Sequence, residues 1–224
     1  MSSPDAMASP TEPSRNPTYY AGDLQRALLD ATADAIEELG PAAVSLREVA
    51  RRVGVSHAAP AHHFGDKAGL FTALATEGFE LLGAAVRRAT AQDPGGTDRR
   101  TLVAAGVAYV GFAASHRAHF EVMWRADLLR TEHPAYLAAA AAAFDALVDV
   151  VSAHQRDGWA PGRSLEDLTL SAWATAHGVA TLHNAGALAV VGSRSPEEVA
   201  TAVLTMHTAA LDRPATGSPP PTAS

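Results

Sequence analysis

Cysteine is absent from this sequence. Its absence excludes disulfide bonds and thiolate metal centres, so a metal site would have to be built from histidine, aspartate and glutamate. An excess of positive charge is also missing, because 17 lysine and arginine residues stand against 24 aspartate and glutamate residues, and the formal net charge is −7. Such a chain does not bind nucleic acid over its whole surface, so contact with DNA requires a local basic patch.

Long uninterrupted apolar runs are absent as well. Residues 1–17 contain no apolar core of the kind that a signal peptide needs, and no later run reaches the roughly 18 apolar residues that span a bilayer. These absences predict a cytoplasmic protein with no membrane partner. Residues 1–20 and 213–224 are rich in proline, serine and threonine, which predicts a disordered arm and a disordered tail.

Between these ends, no stretch alternates as a β-strand does, whereas alanine- and leucine-rich stretches recur between glycine, proline and serine residues. The pattern predicts an all-α protein of about nine helices. Residues 21–66 are expected to form a three-helix head, and residues 67–212 a larger helical bundle. The predicted helices are 24–39, 46–53, a short helix capped by Ser56, 67–91, 97–115, 118–129, 134–156, 165–190 and 196–211.

Several of these helices begin with capping signals. Ser45 and Glu48 have the spacing of a capping box, and the pairs Ser164–Asp167 and Ser195–Glu198 resemble one. Asp66 is expected to cap the long apolar helix that follows it. These local signals fix where the helices start more firmly than where they end.

The stretch GVSHAAPAHHF, residues 54–64, follows the second predicted helix. A helix, a glycine-containing turn and a second helix form a helix-turn-helix, whose second helix lies in the major groove of DNA. Pro60 has no backbone N–H to donate, so a regular helix that begins near Pro60 predicts a tight, 3₁₀-like lead-in over 57–59. Residues 45–67 carry four lysine and arginine side chains against two acidic ones, a local charge of four minus two, or +2.

The ordered segments SLREVARRVGVS, HHF and DK, followed by an apolar helix, resemble the DNA-binding domain of the TetR family over about residues 24–74. The resemblance implies a homodimer whose heads each bind one half-site of double-stranded operator DNA. It also implies a bundle that holds the dimer interface and a pocket for a small-molecule effector, with no cofactor and no enzymatic activity. Positions where family members contact DNA are Ser45, Arg47, Ser56, His57, His62, His63 and Lys67, and the predicted set adds Arg51, Ala58 and Ala59.

Two positions depart from the family pattern. Family members often carry tyrosine where this chain has Ala61, so a phosphate or base contact common in relatives is missing here. His62 stands where arginine is frequent. Weaker and more pH-sensitive DNA binding is therefore expected, because imidazole gains charge only as the pH falls towards about 6.5.

A second segment, SAWATAHGVATL, resembles the Trp-His-Gly signature of one class of TetR-type C-terminal domains. In the family this helix and the last one commonly pack against their copies across the dimer axis. The residues expected at the dimer interface are Leu170, Trp173, Gly178, Leu182, Val199, Val203 and Met206.

The large apolar side chains at helical spacing in the bundle are open to two interpretations. They either line a ligand pocket or simply fill the core, and His177 either orients an effector or forms hydrogen bonds at the interface. The pocket candidates are Phe112, Phe120, Met123, Trp124, Tyr136, Phe144, Trp173 and His177.

The histidines give little support to a metal site. His62 and His63 are adjacent and point to different faces, whereas His116 and His119 have ligand-like spacing without a carboxylate on their own face. A ligand-responsive transcriptional repressor is the leading interpretation. The alternatives are a helical binding or scaffold protein that does not read DNA, which Ala61 leaves open, and a histidine-based metal-dependent enzyme.

Overall fold

Nine α-helices and two short 3₁₀ turns form the described part of the chain, residues 21–91 and 98–212, in a computed structural model. No strand occurs in these ranges. The predicted disordered segments, 1–20 and 213–224, lie outside the described residues. The helices are α1 Ala21–Leu39, α2 Leu46–Val53, α3 Ala59–Phe64, α4 Lys67–Thr90, α5 Arg99–Ser115, α6 Arg117–Met123, α7 Pro134–Arg156, α8 Leu165–Asn184 and α9 Pro196–Leu211. The all-α prediction is confirmed.

Local sequence signals account for the turn between α2 and α3. Gly54 adopts a left-handed conformation with φ of 76°, and its N–H reaches the carbonyl oxygens of Ala50 and Arg51. A side chain is strained at this φ, so glycine suits the end of α2.

The predicted cap at Ser56 is wrong, because α3 begins only at Ala59, with Pro60 in its first turn. A helix starting at His57 would need a bond from the nitrogen of Pro60 to the carbonyl of Ser56, which proline cannot donate. Instead the N–H of Ala59 donates to the Ser56 carbonyl oxygen over 3.0 Å. The three-residue span of this bond agrees with the expected tight lead-in.

The capping signals are realised to different degrees. Ser195 and Glu198 form a complete capping box, with bonds of 3.2 and 2.8 Å in the two directions. Ser45 accepts from the N–H of Glu48 over 3.2 Å, but the Glu48 carboxylate turns to two arginines instead of the Ser45 backbone. The predicted capping box at Ser45 is therefore only half formed. Asp66 caps α4 as expected, since it accepts from the N–H of Gly69 over 2.9 Å.

Two predicted helices extend too far. Helix α6 ends at Met123 instead of residue 129, and a 3₁₀ turn over Ala126–Leu128 redirects the chain towards α4. Helix α8 ends at Asn184 instead of residue 190, because Gly186 takes a left-handed φ of 70° and starts a second 3₁₀ turn. In both cases a tertiary contact holds the helix end: Arg130 bonds to α4 and Asn184 bonds to α5.

Helix α4 connects the head to the bundle. Its first half buries Leu70, Phe71 and Leu74, whereas Phe79 and Leu82 are buried in the second half. All five belong to a hydrophobic cluster that runs from α1 into α9. The head and the bundle therefore share one continuous core along this helix.

Helices α4 and α7 are each long and apolar enough to cross a membrane, by length and composition alone. Neither helix is an uninterrupted apolar run in the sequence, because acidic residues such as Glu77 and Asp145 interrupt them. More than half of the apolar window of α4 is buried inside the bundle, as in the core helix of a folded domain. The apolarity of α7 comes from its alanines together with its leucine, valine and phenylalanine residues.

A charged cluster joins α1, α4 and α6 beside this core. Arg26 of α1 forms an ion pair with Glu77 of α4, and the Nε2 atom of His119 in α6 lies 3.8 Å from the Glu77 Oε2 atom. His119 and Arg26 hold the pKa of Glu77 at about 2, although partial burial acts in the opposite direction. Glu77 is therefore ionised in the folded protein at neutral pH.

This cluster predicts acid sensitivity. The pKa of Glu77 is lower in the folded state than in the unfolded chain, so its stabilising contribution is present above pH 4.5 and is lost as the pH falls towards 2. Glu77→Gln should lose stability at neutral pH and show a shallower decline over this range. Urea unfolding at stepped pH values measures both effects, and equal slopes for the two proteins would contradict the assignment.

Candidate nucleic-acid interface and internal cavity

The structure exposes most of the predicted DNA-contacting residues on α2, the following turn and α3. Half-buried members of the set are Ala59, His63 and Lys67. The exposed members are Ser45, Arg47, Arg51, Ser56, His57, Ala58 and His62. The exposed residues around His57 and Ala58 have small or flat side chains, which allow a close approach of the backbone to a duplex.

The arginines of α2 differ in what they contact. Arg47 is exposed and makes no ion pair with any residue that the structure describes. Arg51 is exposed but forms two bonds to Glu48, of 2.9 and 2.7 Å. Arg52 is only 17% exposed and connects Glu48 to Glu38 of α1. Arg52 therefore holds α1 and α2 together. Of the three arginines, Arg47 is the best placed to bind a phosphate.

The carboxylate of Glu48 remains charged beneath this surface. Arg51 and Arg52 donate to it and hold its pKa at about 2. Its negative charge offsets part of the positive charge of Arg51. The basic character of the helix-turn-helix surface consequently depends more on Arg47 than a count of charges suggests.

The two adjacent histidines of α3 have different environments. Their rings meet edge to face with centroids 5.5 Å apart. His62 is exposed, whereas His63 is half-buried, lies 6.2 Å from the ring of Phe64 and lines a cleft between the head and the bundle. His62 is therefore the better placed of the two for a base or phosphate contact.

The start of α4 is held by both neighbouring parts of the chain. Lys67 donates to the carbonyl of Ala42 over 3.1 Å and lies 5.2 Å above the ring centroid of Phe71. Arg130, in the loop between α6 and α7, donates to the Asp66 carboxylate over 2.8 Å, and its backbone N–H donates to Thr72 over 2.9 Å. The loop between α6 and α7 thus binds the start of α4, directly beside Lys67.

A cavity of about 220 Å³ lies inside the bundle, between α4, α5, α7, α8 and α9. Four of the predicted pocket residues line it: Trp124, Tyr136, Phe144 and Trp173. Phe112 and Met123 are buried in the core and do not line it, whereas Phe120 and His177 line an adjoining cleft between α6 and α8.

Sequence reasoning missed several cavity residues. Phe79, Tyr109, Trp159 and His207 also line the cavity, and they come from α4, α5, the loop after α7, and α9. Phe79, Tyr109 and Trp159 were not among the predicted pocket residues, and no local pattern indicated that α4, α5, the loop after α7 and α9 converge. His207 carries no signal beyond its residue type.

A hydrogen-bonded trio lies at the cavity wall. The Tyr109 hydroxyl lies 2.7 Å from Nδ1 of His177 and accepts a long bond of 3.4 Å from Nε1 of Trp173. Burial raises the pKa of Tyr109 and lowers the pKa of His177. The hydroxyl therefore stays protonated and donates a hydrogen bond to the neutral imidazole of His177.

The predicted dimer residues divide by exposure. Leu170, Leu182 and Met206 expose 54%, 49% and 67% of their surface. Trp173, Gly178 and Val203 are half-buried, and Val199 is buried within its own chain. The exposed members lie on α8 and α9.

The histidines do not assemble a metal centre in the described ranges, where no group of three or more histidine, aspartate or glutamate side chains is placed to hold an ion. His116 stacks on Phe112 with ring centroids 5.0 Å apart. His119 faces Glu77, a carboxylate from another helix that its own sequence neighbourhood did not reveal.

A helix-turn-helix head joined to a helical bundle by one long helix defines the class of helix-turn-helix transcriptional regulators. Residues 28–74 match the family model described as bacterial regulatory proteins of the tetR family. Residues 102–207 match the model described as the C-terminal domain of tetracyclin repressor-like proteins. The chain belongs to the TetR family of bacterial regulators and is a DNA-binding transcription factor, not an enzyme. The Trp-His-Gly class remains a prediction.

Solved structures have a similar fold. A protein of unknown function from Rhodococcus sp. RHA1 is 34% identical, with a TM-score of 0.73 over 87% of this chain and 98% of its own. A tetR-family regulatory protein from Rhodococcus RHA1 is 20% identical, with a TM-score of 0.66 over 85% and 97% of the two chains. The TetR family regulator PfmR from Thermus thermophilus is 21% identical, with a TM-score of 0.59 over 84% and 97%. No curated protein matches the chain.

Arg47 provides a direct test of the interface. Arg47→Ala should weaken binding to duplex DNA and reduce the slope of log affinity against log salt by about 1, as expected for one lost phosphate contact. Fluorescence anisotropy over a salt series measures both quantities. Arg88→Ala, which removes another exposed arginine near the far end of α4, is the matched control and should bind as the unaltered protein does. Equal losses in both variants would mean that only net charge matters.

Proposed function

We propose that this regulator is a ligand-responsive repressor that acts in the cytoplasm as a homodimer and leaves its operator when a small-molecule effector fills the bundle cavity. The continuity of α4 carries this proposal. The first turn of the helix holds Lys67 beside the head, and its second half supplies Phe79, Leu82 and Val86 to the cavity wall. A molecule in the cavity therefore contacts the same helix that supports the DNA-binding surface.

The head would bind DNA through α2 and α3. The exposed Ser45, Arg47, Ser56, His57 and His62 are the proposed contacts, with α3 in the major groove. Arg47 and Lys67 would bind phosphates, which sets affinity and register, whereas the α3 residues would meet base edges. The absent tyrosine at Ala61 leaves this surface with fewer contacts than relatives of the usual pattern.

The homodimer is proposed to form through α8 and α9. Leu170, Leu182 and Met206 are exposed on these helices, and their burial against a second copy would remove apolar surface from water. Two heads related by a two-fold axis would then occupy successive major grooves, roughly 34–36 Å apart or at a different spacing set by the dimer.

Effector release needs only a modest coupling energy. A ligand that favours a dimer state with displaced heads by about 1–3 kcal/mol lowers operator affinity roughly 5- to 150-fold. The loop after α6 offers a second connection to the head besides α4 itself. Trp124 lines the cavity, and Arg130, six positions later, binds both Asp66 and Thr72 at the start of α4.

The proposal is tested by selecting duplexes from a random library with the full chain. The expected result is a two-fold symmetric site that the protein binds in preference to unrelated DNA, and that lowers transcription in vitro when it overlaps a promoter. A compound library screened for a raised melting temperature of the protein should then yield a ligand that restores transcription. Recovered duplexes without symmetry, or a site that only raises transcription, would contradict the repressor assignment.

Arg130→Ala tests the coupling within the same assay. The variant should still bind the recovered duplex and the selected compound, but the compound should release less DNA, because the loop loses its side-chain bond to Asp66 and keeps only the backbone bond to Thr72. Arg125→Ala is the matched control, since the side chain of Arg125 in the same loop bonds to Asp127 and, among the described residues, not to α4. An unchanged release by Arg130→Ala would exclude the Arg130–Asp66 ion pair as a route.

A further inference from the structure

Among the residues that the structure describes, no charged side chain of the kind that would hold an ion lines the cavity wall. None of these lining residues is aspartate, glutamate, lysine or arginine. A carboxylate or an ammonium group placed there would lose its hydration without gaining a partner of opposite charge. His207 also lines the cavity, and burial lowers its pKa, so its imidazole is neutral at pH 7 and offers no positive charge.

Aromatic rings form much of the wall. The Trp124 ring lies 5.2 Å from Phe79 and 5.5 Å from Trp173, and Phe144 meets Trp173 nearly at right angles over 6.3 Å. Tyr136 packs against Phe79 at 5.6 Å. These edges and faces complement another aromatic ring, which prefers offset or edge-to-face contacts at such distances.

The volume limits the size of the occupant. An apolar cavity of about 150 Å³ admits one benzene ring. The cavity of about 220 Å³ is half as large again. Two fused rings, on the order of ten non-hydrogen atoms, therefore match this space.

Hydrogen bonding within the chain occupies the polar groups at the wall. The Tyr136 hydroxyl donates to the carbonyl of Met123 over 3.3 Å, and Nε1 of Trp159 donates to the carbonyl of Thr208 over 3.1 Å. The Tyr109 hydroxyl is engaged in the trio described above. The wall therefore offers an occupant mainly apolar and aromatic contacts, which favours an uncharged compound.

We propose that the effector is an uncharged, two-ring aromatic compound. This inference rests on the proposed function, because it names the chemical class of the effector for the same cavity. An organic cation, which aromatic cages also attract, is disfavoured here because no carboxylate lines the wall.

The tryptophans provide the assay. The chain contains three tryptophans, and all of them, Trp124, Trp159 and Trp173, line the cavity, so intrinsic fluorescence reports its occupancy. The full chain is titrated with 2-methoxynaphthalene, naphthalene, 2-naphthoate and 2-naphthylmethylammonium, and calorimetry provides an independent affinity. The methoxy compound and naphthalene, both uncharged, should bind about tenfold or more tightly than either ion.

Each outcome bears on a stated claim. Binding of either ion as tightly as the neutral compounds, or no binding of the neutral compounds up to the solubility limit, would overturn the proposed ligand class. Binding of methoxynaphthalene with an unchanged affinity for the selected duplex would support the ligand class and contradict the proposed effector-controlled function. The two proposals therefore fail in distinguishable ways.

Discussion

The packing of α4 against two partners at once is the constraint on which the rest of the structure depends. Its first half closes the core of the head through Leu70 and Phe71, and its second half enters the bundle through Phe79 and Leu82. Because a hydrogen-bonded helix transmits displacement along its axis, neither core can shift without affecting the other. The cap at Asp66 fixes where this helix begins, and the Arg130 contact to Asp66 connects that point to the bundle loop.

Charge in the head serves stability as well as recognition. Arg52 and Glu48 are used to hold α1 against α2, and Arg51 is partly neutralised by the same carboxylate. An acidic chain of net charge −7 thus presents a basic surface chiefly through residues that lack an acidic partner, such as Arg47. Long-range repulsion from the acidic remainder would make DNA binding dependent on close, correctly oriented contact.

The bundle combines a packed core with an aromatic cavity. Core positions such as Met123 are fully buried against small residues, whereas Trp124, the next residue, faces open volume. Adjacent residues on a helix end point in different directions, so one fills the core while the other lines a binding space. The lining residues that the structure describes are mostly apolar and carry no formal charge, and this gives that space its chemical preference.

The sequence alone determined the all-α class, the helix-turn-helix and its family, because helix periodicity, the glycine at 54 and the caps at Ser45 and Asp66 act over three or four residues. It misplaced the start of α3 and the ends of α6 and α8, where Pro60 and contacts with distant helices override local propensity. Only the tertiary structure decided which aromatic residues meet around the cavity and which cations are already paired. Those relations join side chains from helices far apart in sequence, and no local pattern encodes the distance between them.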